Sequence, residues 1–431
     1  MITAKGVGFL IAAITVFWLG RLTQVGWLYL IDAVLWGLIL LSAILPWVGA
    51  TFLDARRKVE YEGTSKGVDG PAEGDPVVIR LMLINKGFWP RFFISASYEC
   101  PLAEPEQSTP RFFLGKLPAS NHFSMLSTVV AHRRGMYSLG RVTVESSAPF
   151  GLFRRRVRLD RERSVLVYPQ IYPLKRLSLV DSLAGEAMRP RKSRVGMEIA
   201  GSRPYSPGDP RRHMHWRNTA RAGRPMVKEF EDPQDQTLCL FFDATQSWGE
   251  GKENTLEYAI KVMASVADYG RRNKVAARIW GGSLQGDATG AAAGMASVAI
   301  HGVTHGVTHG ATHGGASWPD VLRKLALVST GEGVSLAESL SQAPMGSSAL
   351  VVVAANDLES LRAIKQSAAG FYQLAVVALE DFGEPGWGTD PLEELERRWI
   401  PVTRCRPGQL TETFTALEQS GRTSYAKLKV A

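Results

Sequence analysis

Two long apolar runs separated by four residues open the chain and constrain everything after them. GVGFLIAAITVFWLG (Gly6 to Gly20) carries no charge; RLTQ follows, and then VGWLYLIDAVLWGLILLSAILPWVGATFL (Val25 to Leu53), broken only by Asp32. A helix crosses the hydrocarbon core of a bilayer with about 20 apolar residues. The second run exceeds that, and the first reaches it by borrowing its flanks. A cleaved signal peptide is the alternative for the first run. No small-x-small cleavage site follows it and a second apolar run comes at once, so two spans in a tight hairpin are expected over residues 1–58. Trp18, Trp27, Trp36 and Trp47 include side chains suited to the membrane–water interface. Lys5, Arg56, Arg57 and Lys58 lie on one side of the hairpin, with only Arg21 in the connecting turn. The positive-inside rule then places both ends, and the rest of the chain, in the cytoplasm. Asp32 has two readings: an intramembrane functional acid, or, in preference, a shallow residue near the start of the second span.

The remainder is long enough for two or three domains, since the chain has 431 residues. Hydrophobic content of 45% with 21% charged residues marks a folded protein rather than a disordered one. The net charge of +9 suits nucleic acid, an acidic protein partner or an anionic membrane surface, and says nothing about fold. Cys100, Cys239 and Cys405 are far apart and lack metal-ligand spacing. They read as reduced or buried thiols, in keeping with a cytosolic face.

Residues 59–170 read as a small all-β domain. VVIRLMLIN (Val77 to Asn85), RFFISASYE (Arg91 to Glu99), FSMLSTVVAHR, YSLGRVTVE, GLFRRRVRL and SVLVYP are strand-like runs separated by Gly, Pro and Asn turns. With no helical stretches between them they predict an antiparallel sandwich. RRRVR (Arg154 to Arg158) is read as a solvated edge strand that resists aggregation. Residues 236–431 alternate strand and helix: QTLCLFFDA (Gln236 to Ala244), then TLEYAIKVMASVADYGRR, KVAARIWGG, WPDVLRKLALVS, ALVVVAAN, LESLRAIKQSAA, YQLAVVALE and LTETFTALEQS. This rhythm predicts a mostly parallel, doubly wound sheet, which binds ligands at the carboxyl ends of its strands. No G-x-G-x-x-G or G-x-x-x-x-G-K-[ST] is present, so dinucleotide and P-loop readings lose their support.

DATQS (Asp243 to Ser247) stands at the end of the first strand of that sheet. One carboxylate and the hydroxyls of Thr245 and Ser247 form a hard-oxygen set suited to Mg²⁺. Asp357, after ALVVVAAN, and Ser335, in GEGVSLAESL, are candidates to complete it. The alternative is that Asp243 and Thr245 cap the following helix. HGVTHGVTHGATHGG (His301 to Gly315) repeats every four residues. Metal binding by its histidines is one reading; a flexible low-complexity surface loop is preferred.

Between these domains, over residues 171–235, lies GSRPYSPGDPRRHMHWRNTARAGRPMVKEFEDP (Gly201 to Pro233), dense in arginine. SPGD reads as a turn, and RRHMHWRNTARAG as a short helix stopping at Gly223. The stretch resembles the signature of the family called domain of unknown function 58. The matching residues are Arg203, Tyr205, Gly208, Asp209, Arg212, Trp216, Thr219, Ala220, Arg221, Val227 and Glu229. Upstream, RRGMYSLGRVTVESSAPFGLF (Arg133 to Phe153) resembles the family's R-G-x-Y … D-P-F-G-L-F segment, with Ala148 where the family usually has Asp. DATQS resembles the metal-ion-dependent adhesion site of von Willebrand factor A domains. It departs from that pattern at Thr245, at Ser335 and at AAND, which ends in Asp357 and stands where the pattern usually has serine-aspartate.

These resemblances imply a non-enzymatic bacterial inner-membrane protein with two spans, a β domain and a von Willebrand factor A-like domain. Such a protein would be an adaptor for a MoxR-type AAA+ ATPase or its client. The arginine stretch is read as a rigid clasp between the β domain and the A-like domain, part of it exposed to an acidic partner. Two other classes remain open: a basic protein binding nucleic acid or an anionic surface, and a hydrolase. For the hydrolase, His213 and His215 lack a marked nucleophile and Cys239 sits mid-strand.

Overall fold

The computed structural model describes residues 1–61, 70–104, 108–160, 162–187, 192–193, 198–206, 209, 211–231, 237–282, 297–300, 317–331, 333–383 and 390–428. The chain divides into two compact units, Met1–Tyr168 and Pro169–Ala431. The HGVT repeat and Gly208 lie outside the described residues.

The first unit begins with α1 (Ala4–Thr23) and α2 (Gly26–Ala50), packed together and each long and apolar enough to cross a membrane. Gly6, Ala13 and Gly20 are the buried positions of α1, one every seven residues. Small residues let apolar elements approach closely: the Leu28 side chain lies 3.4 Å from where a Cβ on Gly20 would stand, while one on Gly6 would fall 2.3 Å from the Leu152 carbonyl oxygen. Asp32 sits in the second turn of α2, about 9 Å along the axis from Gly26, and is buried in the hairpin.

The helix ends at Ala50 and β1 (Leu53–Tyr61) begins three residues later, so the boundary placed at residue 58 cuts through a strand. Hydropathy does not separate the two, because Leu53 and Ala55 belong to the next core. After β1 come β2 (Pro76–Asn85), β3 (Arg91–Ser97), β4 (Arg111–Leu117), β5 (His122–Val130), β6 (Gly135–Leu139), β7 (Val142–Ser146), β8 (Arg155–Leu159) and β9 (Arg163–Val167). They form antiparallel sheets in the orders β1-β2-β5 and β4-β3-β7-β8, with a separate β6-β9 pair. Val77, Ile79, Leu81 and Leu83 line one side of β2 and share a core with Ile94 and Ala96 of β3 and Val142 and Val144 of β7. Every second side chain pointing inward is what two facing sheets require. YSLGRVTVE, read as one strand, is two: β6 pairs with β9, and β7 with β3 and β8. The Arg-rich β8 is an edge strand, as expected.

The second unit contains α3 (Ser178–Ala187), β10 (Lys192–Ser193), β11 (Glu198–Pro204), α4 (Trp216–Ala222) and β12 (Met226–Glu231). Then follow β13 (Leu238–Phe242), β14 (Gly249–Glu250), β15 (Glu253–Asn254), α5 (Thr255–Arg272), β16 (Ala277–Trp280), β17 (Ser297–Ile300), α6 (Trp318–Leu327), α7 (Leu336–Ser341) and β18 (Ser348–Ala354). The unit closes with α8 (Leu358–Ser367), β19 (Gln373–Leu379), α9 (Asp390–Arg397), β20 (Val402–Cys405) and α10 (Leu410–Leu428). Its main sheet is mixed, in the order β17-β16-β13-β18-β19-β20, with β17 antiparallel to β16 and the other pairs parallel. Leu336, Leu340, Leu361 and Ile364 of α7 and α8 pack on Cys239, Phe241 and Val351. α5, buried over most of its length, packs on β13, β16 and β18.

Residues 171–235, expected as a connector, belong to this second unit. Tyr172 N donates to Ser265 Oγ (2.9 Å), Lys175 N to Glu418 Oε1 (2.7 Å) and Tyr269 Oη to Asp181 Oδ1 (2.7 Å). These bonds tie the start of the segment to α5 and α10.

Candidate functional site

All five residues of β13 are fully buried, and parallel strands flank it on both sides. The first polar residue after it, Asp243, therefore emerges half-buried at the carboxyl edge of the sheet, where open α/β sheets bind ligands. Thr245 donates to Asp243 Oδ1 from its N–H and its Oγ1, each at 2.6 Å. Leu336, the first residue of α7, donates its N–H to Asp243 Oδ2 at 3.4 Å. Gly331 N donates to Ala244 O at 2.9 Å. Gly281 follows β16 at φ +136, and a Cβ there would lie 2.3 Å from Phe242 O. Gly333 packs so closely that its Cβ would fall 2.5 Å from the Gly282 carbonyl carbon. Three loops thus converge on the end of β13, and glycine is what allows the approach.

Asp243 does not cap the helix that follows it. Asn254 does that, its Oδ1 accepting from Glu257 N at 2.8 Å. Asp243 reaches across to α7 instead. Ser335 caps α7, accepting from Glu338 N at 3.4 Å, and Asp357 caps α8, accepting from Ser360 N at 3.0 Å. Ser247 is half-buried in the same loop as Asp243. The structure brings Asp243, Thr245 and the start of α7 together; the contact it gives Asp357 is with its own helix.

A carboxylate offers about four lone-pair sites. Three donors engage Asp243, which leaves one site on Oδ2. The Thr245 hydroxyl spends its hydrogen on Asp243, so its own lone pairs point elsewhere. Such a carboxylate–hydroxyl pair fits a hard cation that keeps some of its waters. Among the described residues no group of three or more His, Cys, Asp or Glu side chains that could hold a metal ion gathers, at this site or elsewhere.

The arginine-rich stretch builds a small sheet, β10-β12-β11, with α4 packed on β12. Arg203 Nη2 meets the buried Asp209 carboxylate at 2.6 Å, and Ser206 N donates to the other oxygen at 2.9 Å, closing the turn read in SPGD. His215 caps α4, its Nδ1 accepting from Asn218 N at 3.3 Å. Gly223 ends α4 in the left-handed region. Met226 N donates to Thr219 Oγ1 at 3.0 Å, Val227 is buried, and the Glu229 backbone pairs with Gly201.

The clasp reading needs correction. Arg203 is half-buried and paired with the buried Asp209, but Arg212, Arg217, Arg221 and Arg224 are exposed and make no ion pair with other described residues. Tyr205, Ala220 and Trp216 (69% exposed) lie on the surface too. The reason is geometric: α4 turns Thr219 toward β12 and leaves its arginine face to solvent. An exposed part was expected from the sequence, and the arginines at i and i+4 in α4 supply it; the Leu336 N–H on Asp243 was missed, and nothing local signals it.

The sequence model of the family described as "Protein of unknown function DUF58" matches residues 201–283, which take in both the arginine motif and the Asp243 loop. No curated protein matches the chain. Among solved structures, the PapD-like domain 7 of human CEP192 is 17% identical, covering 26% of this chain and 84% of that one, with a TM-score of 0.16. An immunoglobulin-like protein from Pseudomonas aeruginosa is 16% identical, covering 27% of this chain and 95% of that one, with a TM-score of 0.15. A GH20 exo-β-N-acetylglucosaminidase from Vibrio harveyi is 9% identical, covering 83% and 82%, with a TM-score of 0.19. At such scores these likenesses carry no argument about fold or function.

Proposed function

We propose that the chain is a membrane-anchored, non-enzymatic adaptor of a bacterial inner membrane. Its two N-terminal helices span the bilayer and both folded units face the cytoplasm. The second unit is of the von Willebrand factor A type and binds an acidic surface of a protein partner, a MoxR-type AAA+ ATPase or its client. The observation that carries this reading is the Asp243–Thr245 pair at the carboxyl end of a central strand, locked by α7 yet with oxygen sites left over. Asp243 and Thr245 would hold a divalent cation there, with Ser247 two residues on in the same loop and Ser335 beside Leu336, whose N–H meets Asp243. When bound, that cation supplies positions at which water exchanges for a partner carboxylate. The exposed Arg212, Arg217, Arg221 and Arg224 around Trp216 favour the same kind of partner.

Features that would mark a hydrolase point elsewhere. His215 is spent as a helix cap, and burial pushes the Cys239 thiol up, away from the reactive thiolate. The experiment is a Mg²⁺ titration by calorimetry on wild type, Asp243→Ala and Thr245→Val. Binding by wild type that weakens in both variants supports the site. Equal heats from all three proteins overturn it.

A further inference from the structure

α2 has 25 residues and is about 37 Å long, while a bilayer's hydrocarbon core is about 30 Å thick. Its last turns, with Trp47 exposed, thus reach the interface, and Arg155 stacks over Trp47 at 3.8 Å. Phe52 follows two residues after the helix. Lys86 N donates to Phe52 O at 2.8 Å, and Lys86 Nζ pairs with Asp54 at 2.7 Å. The β2–β3 loop, residues 86–90, is thereby held beside the exit of α2.

Asn85, fully buried, makes that loop rigid. Its Nδ2 donates to Trp89 O (2.9 Å) and Pro118 O (3.0 Å), and its Oδ1 accepts from Gly87 N (3.0 Å). Ser120 N donates to Gly87 O at 3.3 Å. A loop so fixed from within presents Phe88 at 93% exposure and Trp89 at 73%. Burying a large apolar side chain is favourable in proportion to the area taken from water, and the fold forgoes that twice at adjacent positions. The rest of this end of the unit matches. Phe93 and Phe113 stack with ring centroids 6.3 Å apart and are exposed, as is Phe123 near the start of β5. Beyond Ala50 the described residues include ten exposed Phe and Trp side chains, and eight of them are in this unit. Exposed apolar area concentrated in this way marks an interaction surface.

We infer that this end of the β unit docks on the bilayer itself. Phe88 and Trp89, with Phe52, insert at the headgroup level beside α2. The inference rests on the anchoring reading proposed above. The occupant is lipid because the aromatic surface is continuous with a span: it starts two residues from the helix end, and its loop is bonded to that point. Trp is the side chain enriched at such interfaces, with an apolar body and a polar N–H.

The test uses the full chain in lipid nanodiscs, with an environment-sensitive dye on one introduced cysteine at a time: Trp89→Cys, Val34→Cys or Arg141→Cys. The native Cys100, Cys239 and Cys405 are buried and label slowly. Val34 is exposed in mid-span, and Arg141 is exposed at the opposite end of β7 from Ser146, which faces α2. The expected result is quenching of the position-89 dye by a lipid with a shallow spin label, with several-fold less quenching by aqueous iodide than at position 141. Iodide access at position 89 equal to that at 141 overturns the inference. So does protection from iodide without lipid quenching, the signature of a second copy or other protein on the patch. The dye at position 34 separates the two readings: if a deep lipid quencher reaches it while position 89 stays open to iodide, the anchor stands and only the docking falls. If no lipid quencher reaches position 34, the anchoring reading itself fails.

Discussion

Asp243 holds a loop and still has an oxygen site to spare, and its variants should separate those two roles. Asp243→Ala leaves the N–H groups of Thr245 and Leu336 without their acceptor. It should cost about 1–3 kcal/mol of stability, read from denaturant unfolding. Thr245→Val keeps the N–H and removes the hydroxyl, so it should weaken Mg²⁺ binding while costing less stability than Asp243→Ala. A stability loss from Thr245→Val as large as that from Asp243→Ala would show that the hydroxyl serves the fold alone. The arginine motif gives a second contrast. Arg212 is exposed, and Arg212→Ala should stay within about 0.5 kcal/mol of wild type. Asp209→Ala strips Arg203 and Ser206 of their buried partner and should cost about 1–3 kcal/mol. Equal losses in thermal melts would restore the clasp reading. The place of Asp243 was legible because an all-apolar strand leads straight to it. Its partner at Leu336 was not, since 93 residues separate them and only the folded sheet brings them together.

At the scale of elements, β1 decides where the first unit begins. Leu53 and Ala55 are in its core, so Leu53→Ala should cost about 2–5 kcal/mol. A soluble fragment starting at Lys58 should be less stable in urea than one starting at Thr51. Equal midpoints would mean that the first half of β1 is dispensable. β20 offers a pH test. Burial pushes the Cys405 thiol up to about 11 from its ordinary 9.0. Burial and the Asp181 contact push the Tyr269 hydroxyl up to about 12 from 10.0. Both groups are held protonated by the fold, and the unfolded chain releases those protons first. Their contribution is intact below pH 9 and is lost as pH rises through 11 and 12. Melting temperature should therefore fall above pH 9, and Cys405→Ala should flatten the first part of the decline. An unchanged slope in the variant would remove Cys405 from the account. Strands with a clean period of two, such as β2, were legible in the sequence. The division of YSLGRVTVE was not, because both halves alternate alike and only their partners differ.

For the whole molecule, the order of segments along the chain was legible: two apolar helices, an antiparallel β region, then alternating strands and helices. Hydrophobic period and run length carry that information locally. The assignment of residues 171–235 was not legible, because it depends on side-chain bonds such as Lys175 N to Glu418 that no local pattern announces. Nor was the aromatic end of the β unit, whose phenylalanines look like core residues until the strands are paired. The central claim is that the chain is an adaptor whose Asp243 site recruits a partner at the membrane. Its most direct measurement is capture of a MoxR-type AAA+ ATPase by the full chain in nanodiscs, with Mg²⁺ or with chelator, for wild type and Thr245→Val. The account predicts capture by wild type in Mg²⁺, lost on chelation and weakened by the substitution. Capture unchanged by both chelator and substitution, or no capture by wild type in Mg²⁺, would contradict it.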